Sequence, residues 1–99
     1  MNNPKLTRPK LLSASHILVK HEYEAKDILK RLAAGEKFEK LAEDFSQCSS
    51  AKHQGFLGIF APRKMVPAFE QALLLLKDGE ISKPIRTQFG FHIIRRESV

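Results

Sequence analysis

The sequence predicts a single α+β domain with the element order β-α-α-β-α-β-β. Three observations carry that prediction. The chain has 99 residues, enough for one modest core and no second domain. Short β-branched runs, each holding a histidine, lie near both ends and read as strands. Between them, three stretches repeat apolar residues at the i, i+3, i+4 spacing of helices with a buried face. The strands are too widely separated for a βαβ Rossmann unit, and there is no internal repeat, linker or low-complexity segment.

Each element follows from local chemistry. Residues 1–13 hold Pro4, Pro9, Asn2, Asn3 and no usable periodicity, so a flexible basic arm is expected there and the folded domain over 14–99. From Ser15 the run His16-Ile17-Leu18-Val19-Lys20 reads as the first strand. Glu22 opens a helix with Ala25, Ile28, Leu29, Leu32 and Ala33 on one face, and Gly35 is placed to end it. Phe38, Leu41, Ala42 and Phe45 form a second, shorter helix that runs out in the Ser46–Ser50 cluster. Gly55-Phe56-Leu57-Gly58-Ile59-Phe60 is apolar but broken by glycine, which predicts a kinked or bulged strand closed by Pro62. Val66, Phe69, Leu73 and Leu76 line a third helix, with Gly79 as its stop. The Leu73–Leu76 run makes this helix apolar nearly all round, which predicts burial on two sides. Pro84–Thr87 and Phe91–Ile94 read as two last strands joined by a turn at Gln88-Phe89-Gly90.

Composition narrows the function classes. An apolar fraction of 42% is too high for a disordered tail protein. No stretch approaches the ~20 apolar residues that span a bilayer, and the N-terminal residues lack the apolar run of a signal peptide. A cytoplasmic location is the resulting expectation. The single cysteine, Cys48, excludes an intrachain disulfide and fits a reducing compartment. The net charge of +6 is uneven: Lys5, Arg8, Lys10 and Lys20 face no acid over 1–21, and Lys52, Arg63 and Lys64 face none over 45–69. A basic arm suits weak contact with nucleic acid, the ribosome or an anionic membrane surface, or serves only as a solubilising tail.

Several residues could carry chemistry. His16 and His92 each precede an apolar strand run, where an imidazole must find hydrogen-bond partners. If the first and last strands pair, the two could face one another as a mutually bonded pair; otherwise they are satisfied core histidines. Cys48 sits in a polar loop near Lys52 and His53, whose charge would activate a thiol, or it is an incidental loop residue. No CxxC or HExxH spacing points to a metal. Leu57, Met65, Phe69 and Phe89 form a soft apolar set that suits an adaptable pocket, although a helical residue such as Phe69 is more commonly core.

These residues fall within five blocks that occur in order: His16-Ile17-Leu18-Val19-Lys20, Ser46-Gln47-Cys48-Ser49-Ser50-Ala51-Lys52, Gly55-Phe56-Leu57-Gly58, Met65-Val66-Pro67-Ala68-Phe69-Glu70 and Thr87-Gln88-Phe89-Gly90-Phe91-His92-Ile93-Ile94. Together they resemble the parvulin-type peptidyl-prolyl cis/trans isomerases over about residues 14–97. The resemblance implies a four-stranded antiparallel sheet surrounded by helices. It implies that His16, Cys48, His92 and Thr87 are catalytic, with Thr87 holding one histidine. It places Leu57, Met65 and Phe69 around a substrate proline ring and Phe89 beside it. No cofactor and no metal are implied. The expected substrates are proline-containing peptides and unfolded or nascent proteins, and the expected state is a monomer.

Two departures from the family bear on specificity. The phosphate-binding basic loop of Pin-type members is missing, since Lys20-His21-Glu22-Tyr23 passes straight into the helix, and no WW domain is present. An enzyme without phosphoserine specificity is expected. Phe56 stands where many members carry Asp or Ser, and it is expected to widen the apolar surface. Two other classes remain at this point: a binding module whose working part is the basic arm, and a cysteine-dependent redox or hydrolytic domain.

Overall fold

The computed structural model describes residues 10–99. Its elements are β1 (Leu12–Val19), α1 (Glu22–Ala33), α2 (Phe38–Phe45), a 3₁₀ turn (Ser49–His53), β2 (Phe56–Phe60), α3 (Pro67–Leu74), β3 (Ile85–Thr87) and β4 (Gly90–Arg96). The strands form one antiparallel sheet in the order β2-β1-β4-β3. The two ends of the described chain thus supply its two central strands.

Helices cover both faces of this sheet, and the two-residue period of the strands divides the core in two. Ile17 and Val19 of β1, with Ile93 of β4, pack under α1 and α2 against Ala25, Ile28, Phe38, Leu41 and Ala42. Leu12, Ala14 and Ile94 point the other way and pack under α3 against Phe69 and Leu73. The register pairs His16 with Ile94 and Leu18 with His92, so both histidines fall on the α3 face.

The helix boundaries have local causes. The α1 start is tied by the His21 N–H donating to Glu24 Oε1 at 3.0 Å, and Gly35, at φ 98°, follows its end. Pro67 opens α3 at its first turn, where its missing N–H costs nothing. The glycine-broken strand is kinked as predicted: Gly58 stands at φ 85°, and the β1–β2 register shifts between Ser13 and Ser15.

Three expectations are corrected. The first strand starts at Leu12, three residues before the predicted start, and Leu12 and Ser13 are 2% and 1% exposed, part of the sheet and not of an arm. Burial on both faces erases the alternation that would have marked them, and neither is β-branched. Residues 1–9 of the expected arm lie outside the described residues. The third helix ends at Leu74, not before Gly79, and Leu74 and Leu75 are 54% and 85% exposed. It is buried on one side only, because among the described residues nothing packs outside it. The Ser46–Ser50 cluster predicts plain loop, but a 3₁₀ turn forms there; its Gln54 cap needs a left-handed residue at φ 59° that no glycine announces.

Candidate active site

Strand register brings the histidines together. His16 and His92 are diagonal neighbours across β1 and β4, and their Nδ1 atoms lie 2.9 Å apart, with the rings stacked at 5.1 Å. One ring must donate from Nδ1 and the other accept there. His92 Nε2 lies 2.7 Å from Thr87 Oγ1, which also accepts the Phe89 N–H at 3.1 Å. The result is a chain Thr87–His92–His16 that ends at His16 Nε2, a buried nitrogen with no hydrogen-bond partner among the described residues.

Burial keeps both rings neutral. His16 is 5% exposed and His92 4%. Loss of solvent, then the nearby His92, pulls the His16 pKa from 6.5 down to about 4. Desolvation lowers His92 as well. Phe69 closes the site from α3, packing edge-on against His16 at 5.6 Å and His92 at 5.4 Å between centroids.

Above this pair opens a cavity of about 390 Å3, lined by Leu18, Cys48, Leu57, Met65, Phe69 and Phe89 together with the histidines, Lys64 and Val66. That volume and apolar lining suit a small hydrophobic group. A larger groove of about 540 Å3 lies between α1 and Phe45, lined by Tyr23, Glu24, Asp27, Lys30 and Arg31 among others. It holds mixed charge and neither histidine, so the smaller cavity is the candidate site.

Most residues singled out in the sequence meet here: His16, His92, Cys48, Leu57, Met65, Phe69 and Phe89 line one cavity. Thr87 stands behind His92 and holds it. Cys48 is a wall residue, and among the described residues its thiol makes no hydrogen bond to either imidazole; its N–H donates to Ser46 Oγ at 3.4 Å. The hydrogen-bonded chain therefore runs through threonine and two histidines, with the cysteine alongside. Lys52 and His53 are exposed on the 3₁₀ turn and do not line the cavity. Phe56 is corrected: as the neighbour of Leu57 on a strand it points to the opposite face, beside Ser15, Glu39 and Arg95, and leaves the cavity unchanged. Sequence reasoning missed Leu18 and Val66 as lining residues. The two-residue step from His16 could have found Leu18.

A glycine makes the close approach at β1 work. The His16 N–H donates to the Gly55 carbonyl at 2.9 Å. Gly55 stands at φ 86°, and a Cβ there would meet the His16 carbonyl oxygen at 2.5 Å. Gly55→Ala is expected to lower stability by about 2 kcal/mol or more. Urea unfolding measures the loss, and the His16 ring resonances should shift with it.

A buried, neutral histidine pair under an apolar cavity, on an antiparallel sheet of this order, defines the parvulin class of prolyl isomerase domains. The chain belongs to that family: residues 16–98 match the rotamase, or PPIC-type PPIASE, domain. Among its relatives, the foldase protein PrsA of Geobacillus kaustophilus is 51% identical over 89 residues, 89% of this chain and 31% of the foldase. The crystal structure of PrsA from Bacillus subtilis matches with a TM-score of 0.87 at 44% identity, over 90% of this chain and 35% of that one. The chain thus spans about a third of the PrsA foldases it matches. The solution structure of the parvulin of Nitrosopumilus maritimus matches with a TM-score of 0.81 at 45% identity, over 93% of this chain and all of the parvulin. The expected antiparallel α+β fold and the expected family both hold.

Proposed function

We infer that this domain accelerates rotation about Xaa–Pro peptide bonds in unfolded or nascent proteins, without covalent chemistry. The observation that carries the reading is the apolar cavity whose floor is the neutral His16–His92 pair. Rotating a prolyl amide crosses a barrier of ~18–20 kcal/mol, although no bond has to break. The enzyme need only favour the twisted state. Leu57, Met65 and Phe69 grip the proline ring and fix its orientation. A dry wall stabilises the charge-separated planar amide less well than water does. Hydrogen bonds that strengthen as the amide nitrogen becomes pyramidal act only in the transition state, and each ~1.4 kcal/mol gained there is tenfold in rate.

Cys48 contributes as a polar wall, not as a nucleophile. Among the described residues its thiol makes no hydrogen bond to either imidazole, so no nucleophile–base pair is formed: the two rings share their Nδ1 atoms and His92 Nε2 faces Thr87. The PrsA relatives carry the word foldase in their names, which supports folding substrates. Phosphate is not required: only Lys20 and His21 separate β1 from α1, leaving no room for a basic loop. Bulky apolar or neutral residues before proline are favoured, with Lys64 at the cavity adding tolerance for acids. A cytoplasmic monomer is part of the same reading. Lys5, Arg8 and Lys10 of the N-terminal arm would serve a second role, weak contact with nucleic acid or the ribosome.

Exchange measurements on peptides that differ only before proline test the reading. Wild type and Cys48→Asp are expected to be active on Leu-Pro and Ala-Pro peptides, with Cys48→Asp within about tenfold of wild type, a difference of ~1.4 kcal/mol. Met65→Ala is expected to lose about tenfold or more in kcat/KM. Strong selection for phosphoserine, or abolition by Cys48→Asp in a folded protein, would overturn it.

A further inference from the structure

The outer wall of the cavity is a short connection with a constrained backbone. Arg63 stands at φ 71°, in the left-handed region. A residue with a Cβ is disfavoured there on the order of tenfold, so something must hold it. The Arg63 N–H donates to Glu70 Oε1 at 2.6 Å, reaching into the first turns of α3. The N–H of Glu70 itself donates to the Val66 carbonyl at 3.1 Å. One residue therefore ties both ends of the tetrapeptide 63–66.

What that tetrapeptide carries gives the tie its meaning. Lys64, Met65 and Val66 all line the proline cavity. Met65 also lines a second recess, of about 310 Å3, with Arg63, Pro67, Glu70 and Gln71. It is the partition between the cavity and the clamp. The residue before Glu70 is Phe69, which packs on both imidazoles. Consecutive residues of α3 thus fix the two walls between which a proline ring would sit: Phe69 directly, Met65 through the clamp.

We propose that Glu70 is a positioning residue for prolyl isomerisation, its carboxylate holding Arg63 left-handed and so setting Met65 and Lys64 against the His16–His92 floor. The proposal rests on the isomerase reading above. Glu70 does not line the cavity and does not touch substrate. Releasing the clamp lets the wall drift, which weakens the grip on the ring in the ground state and transition state alike. Such a loss appears in KM more than in kcat.

The test uses the full chain with Glu70→Ala, Glu70→Gln, Arg63→Gly and the double variant Glu70→Ala/Arg63→Gly. Exchange spectroscopy on an Ala-Pro peptide at several concentrations separates KM from kcat. Glu70→Ala is expected to raise KM about tenfold while kcat stays within about twofold. Glu70→Gln keeps an acceptor oxygen and stays within about threefold of wild type. The double variant returns KM to within about threefold, because glycine adopts the left-handed backbone without a clamp. Unchanged KM in Glu70→Ala, or a double variant as impaired as the single one, would overturn the proposal. A merely structural role would make KM follow the melting temperature and allow no rescue by glycine. Amide hydrogen exchange at Arg63 reads the clamp without reference to catalysis: Glu70→Ala is expected to speed it about tenfold. If wild type proved inactive, the isomerase reading would fall, while unchanged exchange at Arg63 would remove the clamp itself.

Discussion

Phe69→Ala is expected to lose about 3–5 kcal/mol of stability and to abolish most isomerase activity. Phe69 is 2% exposed and belongs to the core with Leu12, Ala14, Leu73 and Ile94. It is at the same time the wall that meets both imidazoles edge-on. Truncation removes the lost contacts and leaves a void that opens into the proline cavity, so water reaches the histidine pair. A variant such as Phe69→Leu keeps most of the volume and should fall much less in stability, while losing the aromatic edge contacts. Urea unfolding gives the stability change, and exchange measurements below each variant's melting range give the activity. Wild-type kcat/KM in folded Phe69→Ala would mean that the histidine floor is not part of the proline site.

Acidification should weaken the fold in a window set by the histidines. The native state holds His16 at about 4, against 6.5 when solvated. Between those values the unfolded chain takes up a proton that the folded chain refuses. Stability is therefore full above about 6.5 and falls as the pH drops toward 4, by on the order of 3 kcal/mol from His16 alone. His92 is lowered too and acts with the same sign. Among the described residues no carboxylate lines the cavity, and its one formally charged lining group besides the histidines is the cation of Lys64. A first proton costs solvation. A second would put a hydrogen on both facing Nδ1 atoms and break the 2.9 Å contact. Glu39, held low by its backbone hydrogen bond and then by Arg95, adds a loss of the same sign that begins as the pH falls through 4.5. Urea unfolding at pH 7, 5.5 and 4.5 measures the histidine contribution, and a flat profile would refute the burial argument.

How much of this could be read beforehand depended on whether a local pattern or a long-range contact decided it. The facing of His16 and His92 depended on register as well as pairing: His16 pairs with Ile94, and His92, two residues along β4, shares the face of Ile94. The element order followed from periodicity and glycine stops. Where the third helix ends did not: Leu74 and Leu75 look like core in sequence, and only the missing outer layer exposes them. The loop around Cys48 marks a candidate thiol in the sequence, whereas Thr87 stands out only by resemblance; the structure puts threonine in the hydrogen-bonded chain and cysteine beside it. The Glu70–Arg63 contact left no mark in the sequence, since an arginine gives no sign that its backbone is left-handed.

The pairing of β1 with β4 also orders events in time. His16 and His92 are 76 residues apart, and β4, which pairs with β1 from Ala14 to Val19, is synthesised after every other described strand. At about 5–20 residues per second, roughly 4–15 s pass between the appearance of the two histidines. Through that interval β1 has one of its sheet neighbours at most, its apolar faces are uncovered, and the histidine pair does not exist. The candidate site is therefore complete only in the finished domain, and any shortening that removes β4 removes the centre of the sheet along with half of the histidine pair.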